Sequence, residues 1–223
     1  NAAQLLWCRH TDDSLPSRTA NFFEGSAAAP ALSATLSDIR ATNGCTDVDN
    51  NSTDFATGTP TPRNSSSPIN ICPPPTSTPT ITPTPTISPT TTITPTTTIT
   101  STVTVTPTST RTATATVTPT ATTTPLTPAT GIVISEFRTL GTGGGNDEFI
   151  ELFNPTAFPI PIDGWTINKS TGCGVTPSTV ATIPLGVTLA PGQHYLIGGT
   201  SYSGTVTPDL LNQPLSIAND GGI

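Results

Sequence analysis

The chain has 223 residues, of which 33% are hydrophobic and 9% charged, while 25 are proline. Such a composition is too polar and too proline-rich for a chain that is globular throughout. The net charge is −7, Lys169 is the only lysine, and six arginines are scattered; phosphate binding needs clustered Lys and Arg, so nucleic acid and anionic membrane surfaces are poor partners. No apolar run approaches the roughly 18 residues of a transmembrane helix, which argues against membrane insertion in this stretch. The chain begins at Asn1 and contains no methionine, so it reads as a processed or internal piece of a longer product.

Residues 1–72 contain an Asp/Asn-rich loop. Asp47, Asp49, Asn51 and Asp54 alternate oxygen donors, which is what a hard cation such as Ca²⁺ requires. The calcium-loop pattern with a central glycine and a closing glutamate is not met, and Asx residues in turns commonly cap their own backbone. Turn chemistry is therefore the simpler reading, with calcium as the alternative and no other cofactor implied. Cys45 and Cys72 flank this loop, and we expect them to pair; a disulfide there would contribute on the order of 3 kcal/mol in the chain-entropy model. Cys173 then pairs with Cys8 or with a cysteine outside the chain. The four cysteines lack the short ligand pairs of a zinc site, and disulfides favour an oxidising, extracellular compartment. Asn51-Ser52-Thr53, Asn64-Ser65-Ser66 and Asn168-Lys169-Ser170 fit the N-glycosylation sequon.

From Pro73 to Thr130 half of the residues are threonine, and Arg111 carries the single charge. Threonine cannot bury enough apolar area to offset backbone ordering, and proline removes hydrogen-bond donors, so residues 73–130 read as a disordered low-complexity linker. At about 3.1 Å per residue, a fully extended linker of this length reaches on the order of 180 Å. Its composition is also that of O-glycosylated stalks.

The character changes at Gly131. Ile132 to Phe137 predicts a strand, closed by a glycine-rich turn at Gly141 to Asn146. Glu148-Phe149-Ile150-Glu151-Leu152-Phe153 alternates charged and apolar residues, as a half-buried strand does. Asn154-Pro155 breaks it. Trp165 to Ile167, Val180 to Ile183 and His194 to Ile197 supply three more strands, the last launched from the Pro191-Gly192 turn. Short strands between turns, with no helical period, predict an all-β antiparallel sandwich in which Phe149 and Trp165 belong to the core.

These residues resemble a known family. Ile132 to Phe137, Asp147-Glu148-Phe149-Ile150-Glu151-Leu152-Phe153-Asn154-Pro155, Gly164-Trp165 and Leu189-Ala190-Pro191-Gly192-Gln193 together resemble the lamin-tail domain, in its bacterial secreted branch. The resemblance implies an immunoglobulin-like fold that serves as a non-catalytic module, often beside nucleases or phosphatases. Residues 131–223 correspond to the opening part of such a domain. Phe23-Glu24-Gly25, Asn43 to Asn51, Asp54-Phe55 and Pro60 to Ser65 resemble its closing part, within residues 1–72. The chain thus reads as the end of one copy, a linker, and the start of a second. Alternatively the two incomplete copies complete a single sandwich, within or between chains.

No catalytic residue is expected. Glu148 and Glu151 lie three apart on a strand and point to opposite faces, while Glu136 and Glu151 could meet across adjacent strands; solvated strand residues are the simpler account. His194 has no nucleophile at a family spacing. Gly141 to Gly145 precedes a strand rather than a helix, so it is a hairpin loop and not a phosphate loop. The expected function is a non-catalytic extracellular or cell-surface module, binding an extracellular protein or glycan. The alternatives are an accessory region of a secreted hydrolase and a self-associating surface fibre subunit.

Overall fold

A computed structural model of the chain describes residues 8–9, 20–22, 24–74, 128–170, 177–217 and 223. The side chains of Cys8 and Cys173, and nearly all of the Thr/Pro-rich linker, lie outside the described residues.

In chain order, β1 (Cys8–Arg9) pairs antiparallel with β2 (Ala20–Phe22). Next come β3 (Ser37–Arg40), a 3-10 turn at Ala41–Gly44, a single helical turn α1 (Asn51–Asp54) and β4 (Phe55–Gly58). After the linker follow β5 (Val133–Arg138), β6 (Phe149–Phe153), β7 (Ile160–Pro161), β8 (Thr166–Lys169), β9 (Ser178–Thr182), β10 (Thr188–Leu189), β11 (His194–Gly199) and β12 (Leu210–Gln213).

The main layer is a six-stranded sheet in the order β12-β11-β6-β5-β3-β4. Strands β5, β6 and β11 pair antiparallel, and β12 runs parallel to β11 along one edge. The β-branched and aromatic residues of Val133 to Phe137 and Phe149 to Phe153 suit a pleated, covered surface. Two ribbons, β7 with β10 and β8 with β9, form the second layer. Ile134, Phe137, Ile150, Leu152, Tyr195 and Ile197 from the sheet share one apolar cluster with Ile162, Ile167, Val180, Ile183 and Leu189 from the ribbon side. Burying each such side chain contributes about 1.5–3 kcal/mol, so this interlayer cluster is the principal source of cohesion.

The two segments flanking the linker share this sheet. Strand β3 pairs with β5 through Asp38 opposite Phe137 and Ile39 opposite Glu136. Phe55 from the first segment meets Phe137 from the second edge to face, with ring centroids 5.6 Å apart. Thr46 bridges Pro128, and the Ala129 N–H donates to the Cys45 carbonyl. Gly44, at φ +89°, sits where a Cβ would lie 2.7 Å from the Phe153 ring, so two parts of the chain far apart in sequence are packed to backbone distance.

Two details position the polar face. A β-bulge falls between Ile134 and Glu136, which brings Glu136 directly opposite Glu151. Beyond β4, residues 59–72 form no strand; they cross the sheet on the face away from the ribbons. Cys45 bonds to Cys72 with Cα atoms 5.4 Å apart, as the flanking positions predicted, and both rest on Val133, Ala129 and Phe153.

Strand β6 departs from expectation. Its alternation predicts a half-buried strand, yet all five of its residues are buried. The charged side faces not water but the crossing segment. Trp165 departs in the other direction: expected in the core, it is 42% exposed at the turn before β8.

Candidate functional site

The crossing segment is held by three carboxylates in succession. Thr61 donates its N–H to Glu136 Oε1 at 2.9 Å and its hydroxyl to Oε2 at 3.2 Å. Arg63 donates its N–H to Glu151 Oε2 at 2.5 Å, and its guanidinium reaches Oε1 at 2.9 Å. Ser65 donates its N–H to Asp209 Oδ2 at 3.0 Å and its hydroxyl to Oδ1 of the same group. Glu136 is on β5, Glu151 on β6, and Asp209 just ahead of β12. The donors are alternate residues of an extended segment; of the residues between them, Pro62 has no N–H to leave unpaired and Asn64 donates its N–H to the Ser67 hydroxyl at 3.0 Å.

Glu136 and Glu151 are fully buried. They meet across adjacent strands, as the sequence allowed, but the expectation of solvated side chains is overturned for Glu136, Asp147, Glu148 and Glu151, all of which are buried. Glu136 also accepts from the Ser37 hydroxyl at 2.6 Å, and Glu151 from the Ser135 hydroxyl at 2.5 Å. Burial pushes the Glu151 carboxyl above its usual range, while Arg63 and the Ser135 hydroxyl pull it back. Covered by donors on every side, the pair has no water-accessible oxygen for acid–base work; its partners are structural.

His194 opens β11 beneath this network. It stacks on Phe153 with ring centroids 4.5 Å apart, and its Nε2 lies 3.7 Å from Glu151 Oε1. Burial, and secondarily the Arg63 charge, lower its pKa to about 3, so the ring is neutral at ordinary pH. On the far side of β6, Glu148 accepts the Ile217 N–H at 2.7 Å, which confirms that Glu148 and Glu151 serve opposite faces. The glycine-rich Gly141 to Gly145 stretch is a hairpin loop between β5 and β6. Asp147 closes it by accepting the Gly143 N–H at 2.9 Å and pairing with Arg138.

The predicted calcium residues are only partly brought together. Asp54 accepts from the N–H groups of Val48 and Asn50, which is the turn chemistry expected of this loop. Arg40 Nη1 lies 3.0 Å from Asp47 and 3.2 Å from Asp54, placing a guanidinium charge between the carboxylates. Among the described residues, the acidic group with ligand atoms within 4.8 Å of one another is Glu24, Asp47 and Asp54. Asp49 is exposed and outside that group, and Asn51 is buried. Glu24 is raised by burial first and then by Asp47 and Asp49, with Arg40 opposing. Burial of Asn51 also removes its amide from glycosylation in the folded chain, whereas Asn168 is exposed on β8.

Sequence reasoning missed Arg63, Asp209 and Ser37 as partners of the buried carboxylates. Its one available signal was the Pro60-Thr61-Pro62-Arg63 run, an extended segment ending in a cation.

Comparison with known proteins then assigns this architecture. The Lamin Tail Domain family profile matches residues 125–221. These residues belong to the lamin tail domain family. The lamin-tail domain is immunoglobulin-like, which accords with a six-stranded sheet facing two ribbons. Such domains generally act as non-catalytic binding or structural modules. Neither the curated proteins nor the solved structures contain a match to the chain. No helix among the described residues is long and apolar enough to cross a membrane.

Proposed function

We propose that this chain is an extracellular display module, in which a lamin-tail-like sandwich binds a protein or glycan outside the cell. Residues 1–72 and 131–223 on this reading serve one sandwich, since β3 of the first part pairs with β5 of the second in a shared sheet, and the Thr/Pro-rich linker joins the two parts.

The observation that supports binding best is the exposed apolar rim of the ribbon layer. Trp165 is 42% and Leu185 86% exposed. They sit on turns tied to each other: Gly164 donates to the Ile183 carbonyl and Ile183 to the Trp165 carbonyl. Phe158, on the loop entering β7, is also exposed. Large apolar side chains left on turns over a rigid scaffold mark recognition surfaces, and tryptophan is favoured at binding hot spots. The Cys45–Cys72 disulfide fits an oxidising compartment.

The test is binding of the fluorescently labelled chain to intact cells and isolated cell walls of its source. The double substitution Trp165→Ser, Leu185→Ser should weaken binding at least tenfold while leaving the far-UV spectrum unchanged. Undiminished binding by the folded double variant would refute this surface.

A further inference from the structure

We propose that the second segment forms a socket for the first segment of a second copy of this chain, residues 24–72 with β3, β4 and the Thr59–Ser65 strap, so that copies exchange this segment. This inference is independent of the Trp165 surface.

The socket is specific. Its three carboxylates accept alternate N–H groups of the strap, at Thr61, Arg63 and Ser65. Arg63 adds a charge match with Glu151, and Asn64 Nδ2 reaches the Thr207 carbonyl at 2.9 Å. Gln193 Nε2 donates to the Ser65 carbonyl at 3.0 Å, and Asn70 donates its N–H to Gly192 at 2.8 Å. Gly192 has no room for a Cβ, which would lie 2.7 Å from the Asn70 carbonyl oxygen. The socket also needs an occupant. Without the strap, Glu136 and Glu151 lose the Thr61 and Arg63 donors that cover them and face each other across adjacent strands as like charges, a destabilising arrangement.

A second copy is the fitting occupant because every copy carries both halves, and their only covalent connection is the chain from residue 73 to residue 127; the β3–β5 pairing and the Phe55–Phe137 contact re-form unchanged in an exchanged pair. The disulfide does not: Cys45 and Cys72 both lie on the strap side. For a connection of this length, the effective concentration of strap at its own socket is on the order of millimolar or below. Copies crowded to that concentration compete on equal terms, since the exchanged contacts are identical to the internal ones.

Two full-chain variants test the exchange. Arg63→Glu places like charges at the strap contact, and so does Glu151→Arg. When the two are unfolded together and refolded as a mixture, reciprocal exchange restores opposite charges at both contacts. The expected result is a species of twice the chain mass, with at least tenfold more folded material than either variant gives alone. A mixture that behaves as the sum of its separate components would overturn the proposal. Because both variants start destabilised, a second measurement uses Ser65→Cys, Asp209→Cys in one chain, refolded as a one-to-one mixture of isotopically light and heavy protein. Light-to-heavy bridges at these two positions should rise to about a quarter of all such bridges as the concentration approaches 1 mM, on the order of the effective concentration above, where about half of the bridges join different chains. Bridges confined to single chains at every concentration would likewise overturn it.

Discussion

Asp38 makes a pH-dependent prediction that can be worked through. It sits on β3 between Thr57 and Phe137, fully buried, and neither carboxylate oxygen has a hydrogen-bond partner among the described residues. Burial raises its pKa from 3.8 to about 7. A carboxyl with a raised folded-state pKa holds its proton more tightly when folded, so its contribution is full below pH 3.8 and is lost as pH climbs to about 7. At 1.36 kcal/mol per pH unit, the loss is on the order of 4 kcal/mol. Asp38→Asn removes the charge while keeping the shape. The amide N–H groups need partners too, at a cost of about 1–3 kcal/mol, but that cost is the same at every pH. The gap between variant and wild type should therefore move by about 4 kcal/mol in favour of the variant from pH 3 to pH 8. With a urea slope of about 2 kcal/mol/M, the relative midpoint shifts by roughly 2 M. Urea titrations at pH 3, 5, 7 and 8, followed by far-UV circular dichroism, measure it. Glu148, also raised by burial to about 7, leaves the variant a residual decline over the same window. A gap that does not change with pH would mean that Asp38 has found a compensating cation, and the reasoning would fail.

Other outcomes follow from the same geometry. Replacing Cys45 and Cys72 by alanine opens a loop of 27 residues, which in the chain-entropy model costs about 3.5 kcal/mol, readable as a lower urea midpoint. In a Trp7→Phe background, Trp165 should emit near the wavelength of free tryptophan and be readily quenched by acrylamide; a blue-shifted, protected signal would place it back in the core. Calcium added to chelator-treated protein should shift the melting temperature by less than about 1 °C, because Arg40 already supplies positive charge between Asp47 and Asp54. A saturable rise of several degrees would show that the ion displaces the guanidinium.

Much of the sandwich was legible because its strands announce themselves locally. Val133 to Arg138, Phe149 to Phe153 and His194 to Gly199 are rich in β-branched and aromatic residues and bounded by turn residues, and each has its ends within two residues of the predicted ones. The disulfide was legible from Cys45 and Cys72 flanking one loop. The burial of β6 was not. Period-two charge normally means that one face meets water, and nothing near Glu151 in sequence reveals that Arg63, 88 residues away, covers it. Trp165 was misplaced because an aromatic beside a turn carries no sign of which way it faces. The calcium set failed in part because alternation along a loop does not fix convergence in space: Asp54 turned to its own backbone, and Arg40, from a neighbouring strand, entered the gap.

The bulge in β5 has a consequence for how this strand can vary in length. Ile134 and Phe137 both face the ribbons although three positions separate them, an odd spacing that a regular strand would send to opposite sides. The extra residue corrects the phase, letting Ser135 and Glu136 both approach Glu151. Deleting Ser135 would therefore do more than remove a hydroxyl. It would rotate everything on one side of the gap, driving a carboxylate among isoleucines or turning Phe137 out of them, so a one-residue deletion there should be far more damaging than any side-chain exchange at the same place.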